Sequence, residues 1–183
     1  MRTSVLAAIV GALIYFTIAP SLLAQDVRNF SASQSFRERL ESVTSGYLQL
    51  EEQIRERAVE RARTKANAIT VYLDEMSDPD LHGEKRADWI STRLDLLKLL
   101  HDITNASNSS QQRGVFNELS QELIKSLKRF GPVQMNLYAF KCSDALDSGG
   151  HWIATSTSSV NPYDPDKPEC ARVEEQLSST DSK

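Results

Sequence analysis

From residue 34 onward the apolar positions recur with helical spacing. Phe36, Leu40, Val43, Tyr47, Leu50 and Ile54 step by four and three, a heptad pattern that lays one apolar stripe along a helix and has coiled-coil character. The stripe continues in fours through Ala58, Ala62 and Ala66, then reaches Ile69, Tyr72 and Met76. The change of step resembles a stutter, and the small alanines let a neighbouring backbone approach closely. Ser33 or Ser35 can cap the start, with Glu38 at capping-box distance from Ser35. Glu51 and Arg55, four apart, support a solvated face. Gly46 is a weak point, about 1 kcal/mol worse than alanine in a helix interior. The pattern predicts one long helix over 34–76, stopped at Ser77-Asp78-Pro79-Asp80 because proline cannot continue it.

A second helix is expected over 84–104, with Trp89, Ile90, Leu94, Leu97, Leu100 and Ile103 inward. Leu96 and Leu99 widen its apolar face, so it should be the most buried of the helices. After a polar loop over 105–112, a third helix over 113–130 carries Phe116, Leu119, Leu123, Leu127 and Phe130 on one side and ends at Gly131-Pro132. The period then falls to two. Val133, Met135, Leu137 and Ala139 face one way, and Gln134, Asn136, Tyr138 and Phe140 the other, which reads as a strand. A turn over 144–150 leads to a β-prone return over His151 to Thr157. Beyond Ser158 the prolines indicate an irregular segment.

The fold class is therefore mainly α. The expected architecture is a three-helix antiparallel bundle with one long N-terminal helix, then a small β-hairpin and an irregular tail. About half of the mature chain should be helical, above the usual third. Residues 34–130 form the bundle, 131–177 the hairpin and irregular segment, and 178–183 a disordered tail.

The first residues change the picture of where this happens. Met1-Arg2 starts positive, Val5 to Ile18 is apolar except Thr17, and Ala24 precedes Gln25-Asp26. This is the layout of a signal peptide over 1–24, with 25–33 as a lead-in. The alternative is an uncleaved anchor, since 5–24 is long enough to span a bilayer. Either way the domain is expected outside the cytosol, secreted or periplasmic, or anchored facing outward. Cys142 and Cys170 are the only cysteines. In an exported chain an even count predicts a disulfide, here tying the tail to the hairpin, worth about 3.5 kcal/mol by chain entropy.

Charge and motifs exclude more than they assign. The formal net charge is −4, and removing 1–24 takes away Arg2 and no acid, leaving −5. That disfavours non-specific nucleic-acid binding, which needs a basic surface. Asp78, Asp80, His82 and Glu84 alternate, but Pro79 and the missing calcium-loop order make this a solvated turn. The three histidines lack zinc spacing. No nucleophile elbow, phosphate loop or dinucleotide fingerprint occurs. The expectation is no enzyme, no cofactor and no metal. Glycosylation acceptor patterns at Asn29, Asn105 and Asn108 matter only in a eukaryotic host.

A hairpin alone is too small to bury both faces. Tyr138, Phe140, His151 and Trp152 are thus a candidate binding surface, unless the disulfide-tied tail, with Tyr163 and its prolines, folds over them. The stretch Glu60 to Leu73, the strand Val133 to Tyr138 and the run Gly150-His151-Trp152-Ile153-Ala154-Thr155-Ser156 resemble the opening of Cache-type extracytoplasmic sensor domains. That resemblance covers about 55–157 and implies a PAS-like sheet that senses a small ligand. The family continues with further strands, whereas 26 residues follow Thr157 here, so no ligand pocket carries over to named residues. Three readings follow: an exported helical protein that binds a partner or itself, a small-ligand sensing domain, and an enzyme with an unrecognised site.

Overall fold

The computed structural model describes residues 32–77, 80–131 and 133–177. The expected signal segment over 1–24, most of the expected lead-in, the centre of the Asp78 turn and the 178–183 tail lie outside the described residues. The order of elements is α1 (Gln34–Arg55), α2 (Val59–Asp74), α3 (Gly83–Asn105), α4 (Ser109–Phe130), β1 (Tyr138–Cys142), β2 (Gly150–Ala154), a 3-10 turn (Pro168–Cys170) and β3 (Arg172–Gln176).

The expected long helix is two helices. The chain turns back at Glu56-Arg57-Ala58, where the change of step occurs. Ala58 N–H donates to Gln53 O (2.9 Å) and Arg57 N–H to Ile54 O (3.1 Å), the paired bonds of a Schellman motif. Arg57 takes the left-handed position (φ 57°) that glycine usually fills. Neither glycine nor proline marks the break, which is why the apolar rhythm reads straight through it.

Folding back lets α1 and α2 pack antiparallel. Arg39 Nη1 reaches Glu75 O (3.0 Å) at one end, and Lys65 Nζ reaches Gln49 Oε1 (2.8 Å) nearer the other. Ala62 and Ala66 are fully buried. Gly46 is the matching close-approach site: a Cβ there would lie 2.8 Å from Ile69 Cγ1. The apparent weak point is a packing requirement. Leu73 is fully buried in place of Tyr72, which is 37% exposed.

Helices α2 and α3 also run antiparallel, pinned where Trp89 Nε1 donates to Met76 O (3.0 Å) and Arg93 Nε to Leu73 O (2.7 Å). Arg129 of α4 pairs with Asp88 of α3, and Gln112 Nε2 reaches Ile103 O (3.3 Å). The α4 helix returns to α1 through the Phe36–Phe130 contact and the Tyr47–Ser120 hydrogen bond. The result is an up-down-up-down four-helix bundle. Ser33 caps α1, accepting from Phe36 N–H (3.2 Å). Asn108 caps α4, accepting from Ser110 and Gln111 N–H (3.0 Å each), so α4 starts four residues earlier than its apolar pattern suggests.

The core is one cluster running from the bundle into the sheet. Phe36, Trp89 and Phe130 meet at one end, with ring centroids 4.8 to 6.0 Å apart. Each such side chain removed from water contributes about 1.5–3 kcal/mol. The sheet is antiparallel and three-stranded, order β2-β1-β3. β1 starts at Tyr138, later than the alternation from Val133 suggests. The stretch expected to be irregular adds a third strand, β3, which pairs with β1 across a bulge at Ala139/Phe140.

Candidate functional site

The register Phe140↔Trp152 and Cys142↔Gly150 puts four of the strand residues on one sheet face. That face is covered by the tail. Trp152 is 0% and Phe140 2% exposed. Their rings stack at 5.2 Å, and Tyr163 meets Trp152 edge-on at 6.1 Å. Trp152 Nε1 donates to Ser159 Oγ (2.9 Å). A Cβ on Gly150 would lie 2.5 Å from the Tyr163 ring, so glycine is needed for this cover to close. The Cys142–Cys170 disulfide fastens the same segment, and Asn161 Nδ2 lies 3.2 Å from Cys170 Sγ. Of the four expected surface residues, Phe140 and Trp152 are inside. Tyr138 and His151 are half-buried.

Two helix residues and Tyr163 close the outer edge of β2. His151 N–H donates to Asn117 Oδ1 (2.8 Å), and Asn117 Nδ2 donates to Gly149 O (3.2 Å). Ile153 N–H donates to Tyr47 Oη (3.2 Å), and Tyr163 Oη donates to His151 O. Tyr47 Oη also meets Ser120 Oγ (2.7 Å), while Ser120 Oγ donates to Phe116 O (2.8 Å). Tyr47 is therefore the donor to Ser120. Burial pushes the Tyr47 and Tyr163 hydroxyls far above the usual tyrosine range, so both remain protonated donors. Nothing in the apolar rhythm of the sequence distinguishes Tyr47 from the leucines beside it.

On the opposite sheet face His151, Lys141 and Arg172 form one cross-strand row. Glu174, the extra residue of the bulge, approaches Lys141 Nζ (3.7 Å) and His151 Nε2 (3.9 Å). Burial lowers the His151 pKa, against the pull of Glu174. Its buried Nδ1 has no hydrogen-bond partner among the described residues. Among the described residues no three His, Cys, Asp or Glu side chains converge to hold a metal ion.

The α3 helix departs most from expectation. Trp89 and Arg93, tied to α2, set which side turns inward. Leu96, Leu99, Leu100 and Ile103 follow on that side and are buried. Ile90 and Leu94, one residue on from Trp89 and Arg93 and so about 100° round the helix, are 42% and 56% exposed. With half-buried Leu97 they make an apolar stripe at the surface. α3 has fewer buried residues than α1 or α4, not more. Between α3 and α4 lies an open groove of about 400 Å³ lined by Asp95, Lys98, Leu99, Glu118, Gln121, Glu122 and Lys125.

Glu51, assigned by spacing to a solvated face, is mostly buried. Its side chain is 16% exposed, with Arg55 Nε 3.7 Å away. Burial pushes its carboxyl up to about 7, opposed by the charge of Arg55.

A family model described as "Protein of unknown function (DUF3347)" matches residues 43–135, from the middle of α1 past the end of α4. No curated protein and no solved structure matches the chain.

Proposed function

The chain belongs to the DUF3347 family, and we propose that this member is a non-catalytic exported protein whose α3 helix binds a partner protein. The observation that carries the reading is the pair Ile90 and Leu94, 42% and 56% exposed on α3 and continued by half-buried Leu97; Val71 (58%) and Tyr72 (37%) on α2 are the other large apolar side chains exposed on the described helices. Spacing of four and three suits an apolar stripe on a partner helix laid along α3. The adjoining groove contributes Asp95, Glu118 and Glu122 against Lys98 and Lys125, which gives the contact a polar rim. Export, to the periplasm or beyond the cell, is supported by the 1–24 segment and by a disulfide of the kind that persists in oxidising compartments. No helix among the described residues is long and apolar enough to cross a membrane.

The test is Leu94→Glu in the native host, with crosslinking in the native compartment. Because Leu94 is 56% exposed, the substitution should change stability by no more than about 0.5 kcal/mol. The expected result is loss of a crosslinked species seen with the unmodified protein. An unchanged crosslinking pattern from a folded variant refutes the reading. A thermal-shift screen against amino acids and carboxylates tests the small-ligand alternative, since a ligand that binds only the folded state raises the melting temperature.

A further inference from the structure

The two edges of the sheet are finished differently. On β2 the outward His151 N–H and C=O and the Ile153 N–H are taken by Asn117, Tyr163 and Tyr47. β3 has an exposed outer side, with Val173 42% exposed. The hydrogen-bond phase fixes which groups it offers. His151 and Ile153 spend their N–H groups outward, so Trp152 turns its own toward Phe140 of β1. Phe140 is thereby committed to β2, and Val173, its partner on the other side, turns N–H and C=O away from β1. Leu177 N–H donating to Leu137 O (2.8 Å) fits the same phase at the far end of the strand.

The charges beside Val173 are arranged asymmetrically. Arg172 stands directly opposite Lys141, which stands opposite His151. Like charges opposite one another in a sheet are unfavourable, and Arg172 has no ion-pair partner among the described residues. Glu174 lies on the other side of Val173. An antiparallel copy of Arg172-Val173-Glu174, centred on Val173, therefore matches itself: arginine meets glutamate twice, valine meets valine once.

We propose that a second copy of this chain pairs antiparallel along β3, with the two-fold axis at Val173. The sheet becomes six-stranded, in the order β2-β1-β3-β3-β1-β2. Val173 exchanges both backbone hydrogen bonds with the partner's Val173. Glu174 from the partner comes beside Arg172, the member of the row that this chain's own Glu174, close to Lys141 and His151, leaves unpaired. The contact is isologous, so it closes as a dimer. It is also small, so the dimer is a weak one. This edge is separate from the α3 stripe.

Sedimentation equilibrium of the mature, disulfide-bonded chain over a wide concentration range tests the proposal. The expected result is a concentration-dependent dimer. Arg172→Glu and Glu174→Arg, each confirmed folded by thermal melting, should weaken it about tenfold or more, since each sets like charges opposite at two symmetric places. The double variant R172E/E174R should restore it. A wild-type chain that stays monomeric throughout overturns the proposal. So does a dimer unaffected by R172E, or one that the double variant fails to restore. A dimer abolished by Leu94→Glu and indifferent to R172E would overturn the β3 pairing while leaving the α3 reading standing.

Discussion

Replacing Glu51 by glutamine should stabilise the protein, increasingly so as pH rises. The Glu51 carboxyl is held at about 7, against an ordinary value of 4.5, chiefly because burial penalises its charge. The folded state thus holds its proton more tightly than the unfolded chain does. Stability from this group is full below pH 4.5, where both states are protonated. It falls as pH rises toward 7, where the unfolded chain has already released the proton, and is flat above. At about 1.4 kcal/mol per pH unit across that interval the total is about 3 kcal/mol, reduced somewhat because the side chain keeps 16% exposure. Glutamine keeps the shape and removes the charge, so the E51Q variant should match wild type near pH 4.5 and exceed it by about 2 kcal/mol at pH 8. Urea unfolding with the disulfide intact, at several pH values, measures this. The difference between the two proteins cancels the background from other groups. A difference that does not change with pH, or that grows toward acid, refutes the burial argument.

Gly46→Ala should destabilise by about 1–3 kcal/mol although alanine is the better helix former, because its Cβ would press into Ile69; a raised melting temperature would contradict the packing. Arg57→Gly should stabilise by about 1 kcal/mol, since glycine adopts the left-handed conformation without the steric penalty paid by arginine. Chemical denaturation at neutral pH reads that change, and destabilisation would mean that the Arg57 side chain holds the turn in some further way.

The sequence determined the helical character, the buried heptad from Phe36 to Ile54, the presence of a hairpin though not its strand bounds of 138–142 and 150–154, and the Cys142–Cys170 bond. These are properties of local rhythm, turn chemistry and a two-cysteine count, and they are legible without knowing what packs on what. The candidate surface was legible only as a choice between open aromatics and a tail cover. Which side was true depended on Tyr163 reaching Gly150, a contact between segments far apart in the chain. Tertiary structure alone decided the break at Arg57, because a Schellman turn on a non-glycine residue leaves no mark in composition. It likewise decided that Glu51 is buried and Ile90 and Leu94 are not. One α-helical residue turns the face by about 100°, so a stripe as wide as that of α3 admits several inward directions. The bonds of Trp89 and Arg93 to the end of α2 select one. β3 leaves no pattern in the sequence for a related reason: an exposed edge strand buries no alternating side chains, so its pairing is written in the backbone of β1 rather than in its own residues.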